Sequence, residues 1–314
     1  AWILIGSDNR ITIYVGSQEM GQGIISSLPQ IVAEDLMVDW AQVTGAIAPP
    51  DPAFVNPGTG AQLTGGSMSV RGYYDALRTA GAAARDMLIA EAASVWGVDP
   101  SVCSAAGNGT VVNTQNSAVL TYGQLAAGAA LRTPPTNPAL TPDSELRLIG
   151  TPVPRPDIPS KCDGTAIFGI DVIVPGMVYA VIKHCPTLGG TVASPPSAPP
   201  GAIAAVALDN AVAVVANDTY AAMQAAQELN VQWTIPASSA DLDNAVIAAQ
   251  ARELIFSPTT AIAETDGDVA SALAGAAQQV DLYYDVPYLA HATLESMNCT
   301  ASVTATGCEI WVPT

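Results

Sequence analysis

Ile11-Thr12-Ile13-Tyr14-Val15-Gly16, followed by Glu19-Met20-Gly21-Gln22-Gly23 and then by Ile24 to Leu36, is the stretch from which the rest of the chain can be read. The first run alternates and ends at a glycine, the pattern of a strand. The last carries Ile24, Leu28, Ile31, Val32 and Leu36 at helical spacing, which predicts a helix with one apolar face. Between them, Gly21 and Gly23 remove side chains that would block a close backbone approach. A helix start offers unpaired N–H groups and the positive end of a dipole, and Gln22 adds an amide that donates and accepts. Strand, glycine-bracketed turn and helix start thus form a geometry suited to an anion. Taken alone, a single GxG more often marks an ordinary tight turn.

Working outward, a loop rich in Pro and Gly spans Pro49 to Gly66 and leads into Thr64-Gly65-Gly66-Ser67-Met68-Ser69-Val70-Arg71. A long helix is predicted from about Val70 to Trp96, with Leu77, Met87 and Leu88 on its packing face and Gly97 as its stop. Ser67 or Ser69 would cap that helix, and the same hydroxyls and free N–H groups could grip a phosphate beside Gly65 and Gly66. Ordinary capping accounts for the cluster by itself. Two glycine-lined helix starts in one block make a bipartite cradle for a phosphorylated cofactor the more economical reading.

A third cluster, Pro287 to Asn298, holds His291 and Glu295 four residues apart in an otherwise apolar stretch. On a helical turn they would share a face. One His and one Glu make half a metal site; a buried, hydrogen-bonded pair that shapes a turn near an active site is the preferred reading.

The 314 residues divide into three blocks on composition. Residues 1–148 carry the two glycine clusters, a hairpin around Asn108-Gly109, and a linker with four prolines between 133 and 143. Residues 149–236 read as a small α+β domain. Its strands are Val172–Val174, Val178–Lys183 and Val212–Ala216, its helix is Tyr220–Leu229, and a proline-rich loop spans 194–201. Residues 237–314 hold helices at Leu242–Leu254 and Val269–Ala277 and strands at Gln279–Asp285, Cys299–Val303 and Glu309–Val312. The chain opens at Ala1 and stops just after a strand, so it is expected to be processed or to be a piece of something longer.

Net charge is −18, from ten Lys plus Arg against 28 Asp plus Glu, which opposes binding to nucleic acid or anionic membranes. The same balance fits a secreted or periplasmic protein, and equally a lineage bias in composition. No signal peptide and no membrane-spanning run is visible. The five cysteines form no CxxC pattern, and with two histidines they give no zinc or iron–sulfur signature. Cys299 and Cys308 sit on neighbouring predicted strands and could pair under oxidising conditions; buried free thiols are expected for most of the five.

With these clusters in view, the chain resembles the molybdenum-binding subunit of the xanthine oxidase family. The match is closest to the isoquinoline 1-oxidoreductase and membrane-associated aldehyde dehydrogenase branch. The residues that carry the resemblance run in that branch's order: Glu19–Gly23, Ala33-Glu34-Asp35-Leu36 with Asp39-Trp40, Thr64–Ser67 with Ser69-Val70-Arg71, Leu148-Ile149-Gly150 with Arg155, Lys161–Gly164 with Phe168–Asp171 and Pro175–Met177, and Pro287–Ala292.

The resemblance implies an α+β fold: a molybdopterin-binding α/β domain, an α/β hammerhead domain, and the start of a second molybdopterin-binding domain. It also implies a molybdopterin cofactor with Mo, in bacteria usually the cytosine dinucleotide form. Gly21, Gln22 and Gly23 would touch its phosphate or pterin, and Gly66, Ser67 and Met68 its dithiolene end near the metal, with Gly65 and Ser69 counted beside them as cofactor-binding. His291 and Glu295 would line the far side of the metal, where Leu289 replaces the Gln of many relatives. The implied reaction is hydroxylation of an electron-poor carbon, either of an aldehyde or of an N-heteroaromatic ring; the acidic composition alone favours the aldehyde. Electrons would leave through a [2Fe–2S] subunit and a membrane-bound subunit carrying haem c, in the periplasm. The family's catalytic Glu, in a Gly-Glu-Pro type motif, is absent from this chain, so the base is expected in a C-terminal half and the chain alone is not expected to turn over substrate. A non-catalytic scaffold is the rival reading. A nucleotide-binding α/β module fails, because no GxGxxG and no Walker lysine occurs.

Overall fold

The computed structural model describes residues 2–257 and 261–313. They fall into two compact units, one ending at Ile167 and the other running from Phe168 to Pro313.

In the first unit, β1 (Ile3–Ile5) pairs antiparallel with β2 (Ile11–Val15). The chain then passes through the glycine turn into α1 (Ile24–Leu36) and returns as β3 (Val43–Ile47), parallel to β2. A helical crossover of this kind is what parallel pairing requires. The predicted helix over Ile24–Leu36 is thus observed. Its five apolar residues are all buried, together with Ile11, Ile13 and Val15 of β2.

The long helix α2 (Met68–Trp96) packs along α1 and begins two residues earlier than expected. Leu77 and Leu88 are buried in that contact, and Met87 packs at its edge. Gly81 marks the closest approach of the two helices: a Cβ there would lie 2.4 Å from the Val32 carbonyl oxygen. Three short antiparallel strands follow, β4 (Cys103–Ala105), β5 (Thr110–Asn113) and β6 (Val119–Thr121), with the hairpin turn where Asn108-Gly109 places it. Then come α3 (Tyr122–Ala129) and α4 (Ile158–Asp163).

Two buried tyrosines fasten this unit. The Tyr73 hydroxyl donates to the carbonyls of Gly16 (3.1 Å) and Phe54 (2.6 Å), and that of Tyr122 to the carbonyl of Leu36 (2.9 Å). Burial pushes the Tyr73 phenol up to about 12 and that of Tyr122 higher still. An unfolded tyrosine titrates near 10. Below that pH neither group makes stability depend on pH. As pH rises from about 10 through 12 the unfolded chain loses its phenolic protons first, so stability falls, by about 2–3 kcal/mol from Tyr73 alone. Urea unfolding curves at pH 8, 10 and 11.5 check this, and Tyr73→Phe should flatten the decline.

In the second unit, β7 (Tyr179–His184), β8 (Thr191–Val192), β9 (Ala204–Ala207), β10 (Ala211–Ala216), α5 (Thr219–Glu228) and β11 (Trp233–Thr234) form one group. The sheet order is β7-β10-β9, antiparallel throughout, and β11 pairs with β8. Ala222, Ala225 and Ala226 of α5 turn inward beside Val212 and Val214, as the alanine pattern implied. Lys183 donates to the carbonyls of Ala226 (2.8 Å) and Leu229 (2.6 Å), capping the helix's negative end. Further on lie α6 (Asn244–Ile255), α7 (Val269–Gly275) and a hairpin of β12 (Thr300–Val303) and β13 (Cys308–Trp311).

Four expectations here are corrected. Val172–Val174 is not a strand: Pro175 and Gly176 (φ 79°) turn the chain at once, and the Met177 amide closes the turn on the Val174 carbonyl at 3.0 Å. Gln279–Asp285 is also irregular. It finds no partner strand among the described residues, and Leu282, Tyr283 and Tyr284 are exposed; Arg252 of α6 stacks on the Tyr283 ring at 4.7 Å instead. Cys299 and Cys308 do not pair, because the hairpin register sets Cys308 opposite Val303. All five cysteines are free thiols, but most are not buried as expected: Cys103 alone is buried, and Cys162, Cys299 and Cys308 are exposed.

Candidate functional site

The two glycine clusters, more than forty residues apart in sequence, meet. The Gln18 amide donates to the Thr64 hydroxyl at 2.8 Å, and the Ser69 hydroxyl donates to that of Ser17 at 3.0 Å. The reason lies below them. β2 delivers Ser17 to the edge of the core, and Tyr73, one turn into α2, ties the Gly16 and Phe54 carbonyls together. Both turns therefore start from one buried hydroxyl.

The two helix starts differ. At α1, the Glu19 carboxylate already fills the anion position. Its Oε1 accepts from the amides of Gly21 (2.7 Å) and Gly23 (3.0 Å), and its Oε2 from that of Ile25 (2.9 Å). The expectation of free N–H groups at this turn is therefore corrected. Gln22 is likewise engaged within the turn: its oxygen accepts from the Met20 amide at 2.6 Å and its nitrogen donates to the Gln18 carbonyl at 2.9 Å. Gly21 (φ 101°) and Gly23 (φ 89°) sit in the left-handed region, which is what the turn needs glycine for.

At α2 no side chain caps the helix. Ser67 holds the N-cap position with a left-handed backbone (φ 55°) and makes no capping bond, and the Ser69 hydroxyl is turned to Ser17. Neither serine caps the helix with its side chain as expected. The amides of Ser69 and Val70 make no hydrogen bond to a described residue. Gly65 and Gly66 are exposed beside them, and Arg71 presents an exposed guanidinium in the same turn. Unpaired amides, open glycines and a cation are the donor set a phosphate takes. The residues at the start of α2 thus fit the phosphorylated end of a molybdopterin.

Three supporting residues were given no site role in the sequence reading. Asn56 is fully buried; its amide donates to the Met68 carbonyl (2.9 Å) and its oxygen accepts from the Gly58 amide (2.8 Å), which hangs the Pro49–Gly66 loop on the start of α2. The Asn56-Pro57-Gly58 turn was the available signal. Glu19 was seen only as part of the glycine motif. Arg155 reaches the α1 turn, donating to the Gly21 carbonyl at 2.8 Å and lying 3.6 Å from Glu19. It arrives there because Glu34, wholly buried in α1, accepts from the amides of Arg147, Leu148 and Ile149 and so pins the preceding segment.

The His291–Glu295 pair is not formed. Residues 285–299 contain no helix, so the two do not share a face. His291 is exposed, and Glu295 accepts from the Gly169 amide at 2.8 Å.

Residues 1–147 match the model of the molybdopterin cofactor-binding domain, so the first unit is of that class. Three curated relatives extend the match. One is the beta chain of isoquinoline 1-oxidoreductase from Brevundimonas diminuta, 33% identical over 74% of this chain and 35% of the relative. A membrane-bound aldehyde dehydrogenase (pyrroloquinoline-quinone) from Gluconacetobacter polyoxogenes is 31% identical over 96% of the chain and 40% of the relative. A nicotinate dehydrogenase component from Pseudomonas putida is 28% identical over 99% of the chain and 26% of the relative. The chain belongs to this branch of the xanthine oxidase family. It spans 26–40% of the length of these relatives.

Proposed function

We propose that the chain is part of the molybdenum-binding subunit of a molybdenum hydroxylase, and that its paired turns hold the pterin cofactor. The observation that carries this reading is the meeting of the two turns through Gln18–Thr64 and Ser17–Ser69 in a unit of the molybdopterin-binding class. In this reading the Ser69 and Val70 amides and Arg71 bind the cofactor's phosphate. Gly65, Gly66, Ser67 and Met68 form the wall beside it, and Gly21, Gln22 and Gly23 form the opposite wall. When bound, the group supplies two-electron oxidation of an electron-poor carbon. The chain's own residues bind and orient it. His291 and Glu295 are assigned to the region of the active site, and no catalytic residue to this chain; the base lies in the C-terminal half of the subunit.

The substrate we favour is an aldehyde, oxidised to a carboxylic acid, because a relative that combines 31% identity with 96% coverage of the chain carries that activity in its name. Hydroxylation of an N-heteroaromatic ring is the second reading, supported by the relatives named for isoquinoline and nicotinate. The wider assignment follows the family. The cofactor is the cytosine dinucleotide form. Residues 149–236 form a hammerhead domain, and 237–314 start a further molybdopterin-binding domain. Electrons pass to a [2Fe–2S] partner and a haem c subunit that attaches the complex to the membrane on its periplasmic side. No helix among the described residues is long and apolar enough to cross a membrane.

The test is to purify the native complex, identify its polypeptides, measure molybdenum and iron, and assay aldehydes against N-heterocycles. Molybdenum near one atom per subunit is expected. Its absence from a preparation containing every partner rejects the reading. Gln22→Ala should lower molybdenum per subunit, since it frees the Met20 amide and the Gln18 carbonyl that shape the turn.

A further inference from the structure

We infer that Glu19 and Arg155 are positioning residues: Glu19 acts as a built-in anion that closes the helix start of α1, and Arg155 locks it there, so that an external anion is directed to the start of α2. This rests on the cofactor reading above and deepens it.

The argument is one of occupancy and charge. A phosphate at the α1 turn would need the amides of Gly21, Gly23 and Ile25, and all three donate to the Glu19 carboxylate at 2.7–3.0 Å. That carboxylate is 10% exposed, so its field is poorly screened, and a second anion on the same donors would meet a like charge at contact distance. Hydrogen bonds to an ionised acceptor are the strong kind, and three converge here. The start of α2 carries no such group.

Arg155 holds the arrangement from outside. One arm donates to the Gly21 carbonyl at 2.8 Å, and the other lies 3.6 Å from Glu19. The guanidinium itself is fixed by Asp157 in a two-pronged contact at 3.0 and 2.6 Å, and Asp157 also takes Lys161 at 2.6 Å. These contacts hold the Asp157 carboxyl well below the usual range, so the clamp stays charged at any working pH. The turn is thereby held in its left-handed shape before any ligand arrives, and its role is that of a shaped wall rather than an anion seat.

The test uses the full chain and amide hydrogen exchange resolved to single residues, with inorganic phosphate as the probe. In the wild type, phosphate should slow exchange at Ser69 and Val70 and leave Gly21, Gly23 and Ile25 unchanged. In Glu19→Ala, those three amides should exchange about tenfold faster or more, since each loses a bond to a charged group. Added phosphate should then restore their protection, because the vacated helix start is open to an outside anion. A carboxylate that merely stiffens the loop gives no such rescue. Arg155→Gln should speed exchange at Gly21 to a smaller extent, with Arg155→Lys no better, as lysine lacks the fork.

Phosphate protection of Gly21, Gly23 and Ile25 in the wild type overturns the inference. So does Glu19→Ala exchange within about twofold of wild type, or a failure of phosphate to rescue it. Absence of molybdenum from the native complex is a separate result: it removes the cofactor reading and leaves the exchange behaviour of Glu19 standing.

Discussion

Asp35→Ala should destabilise the first unit by about 3–5 kcal/mol, the usual cost of removing one partner of a buried ion pair. Asp35 is wholly buried in α1, and its carboxylate receives the Arg78 guanidinium of α2 at 2.7 Å. It also accepts from the Thr141 amide at 2.6 Å, while Arg78 donates to the Thr141 carbonyl. Arg78 is only 6% exposed and cannot shed its proton to escape burial. Its second acidic neighbour, Asp143, lies 3.6 Å away and is 92% exposed, too well solvated to replace Asp35. The variant thus strands a charge and leaves the Thr141 amide unpaired. Urea unfolding followed by the fluorescence of Trp2, Trp40 and Trp96 measures the loss. The double replacement Asp35→Leu with Arg78→Met should recover much of it, since two apolar groups leave no buried charge behind. A single-variant cost under about 1 kcal/mol would mean that the pair is already hydrated.

The second large effect is expected at Glu34. Glu34→Gln keeps the shape and removes the charge. In the native unit both carboxylate oxygens accept from the Arg147 amide, at 3.0 and 2.9 Å, and one of them also takes Leu148 (2.6 Å) and Ile149 (2.8 Å). A glutamine supplies one acceptor oxygen and turns an NH2 toward a ring of N–H donors. The cost should be about 2–4 kcal/mol, from weakened charge-assisted bonds and one unpaired buried amide. Because the 147–149 segment leads to Arg155, exchange should quicken at Leu148 and Ile149 and then at Gly21. Quickening at Gly21 without quickening at Leu148 would show that the two sites are not linked in this order.

How far the sequence leads can be judged residue by residue. Helix α1 was legible to both ends because two local signals coincide: a left-handed glycine before Ile24 and an apolar stripe that stops at Leu36. The start of α2 was placed two residues late, since Ser67 and Ser69 are equally good caps by residue type and nothing in their identity says that Ser67 holds the N-cap position. Val172–Val174 and Gln279–Asp285 have strand composition, yet a strand needs a neighbour, and a run of β-branched or aromatic residues does not say where that neighbour is. His291 and Glu295 failed for the same reason in helical form, because spacing of four shares a face only if the backbone is helical.

For the candidate site, the residue types and their order along the chain were enough to mark both glycine turns and to identify the family, because backbone clearance and amide donors depend on glycine and on helix starts, which are local properties. The sequence alone did not say which turn is open. That was decided by Glu19 folding back onto its own turn and by Arg155 arriving from more than 130 residues away. Contacts between distant segments depend on how the core seats each helix, and here the seats are the buried carboxylates Glu34 and Asp35 and the phenol of Tyr73, whose partners, Arg78 apart, are backbone groups that no side-chain pattern reveals.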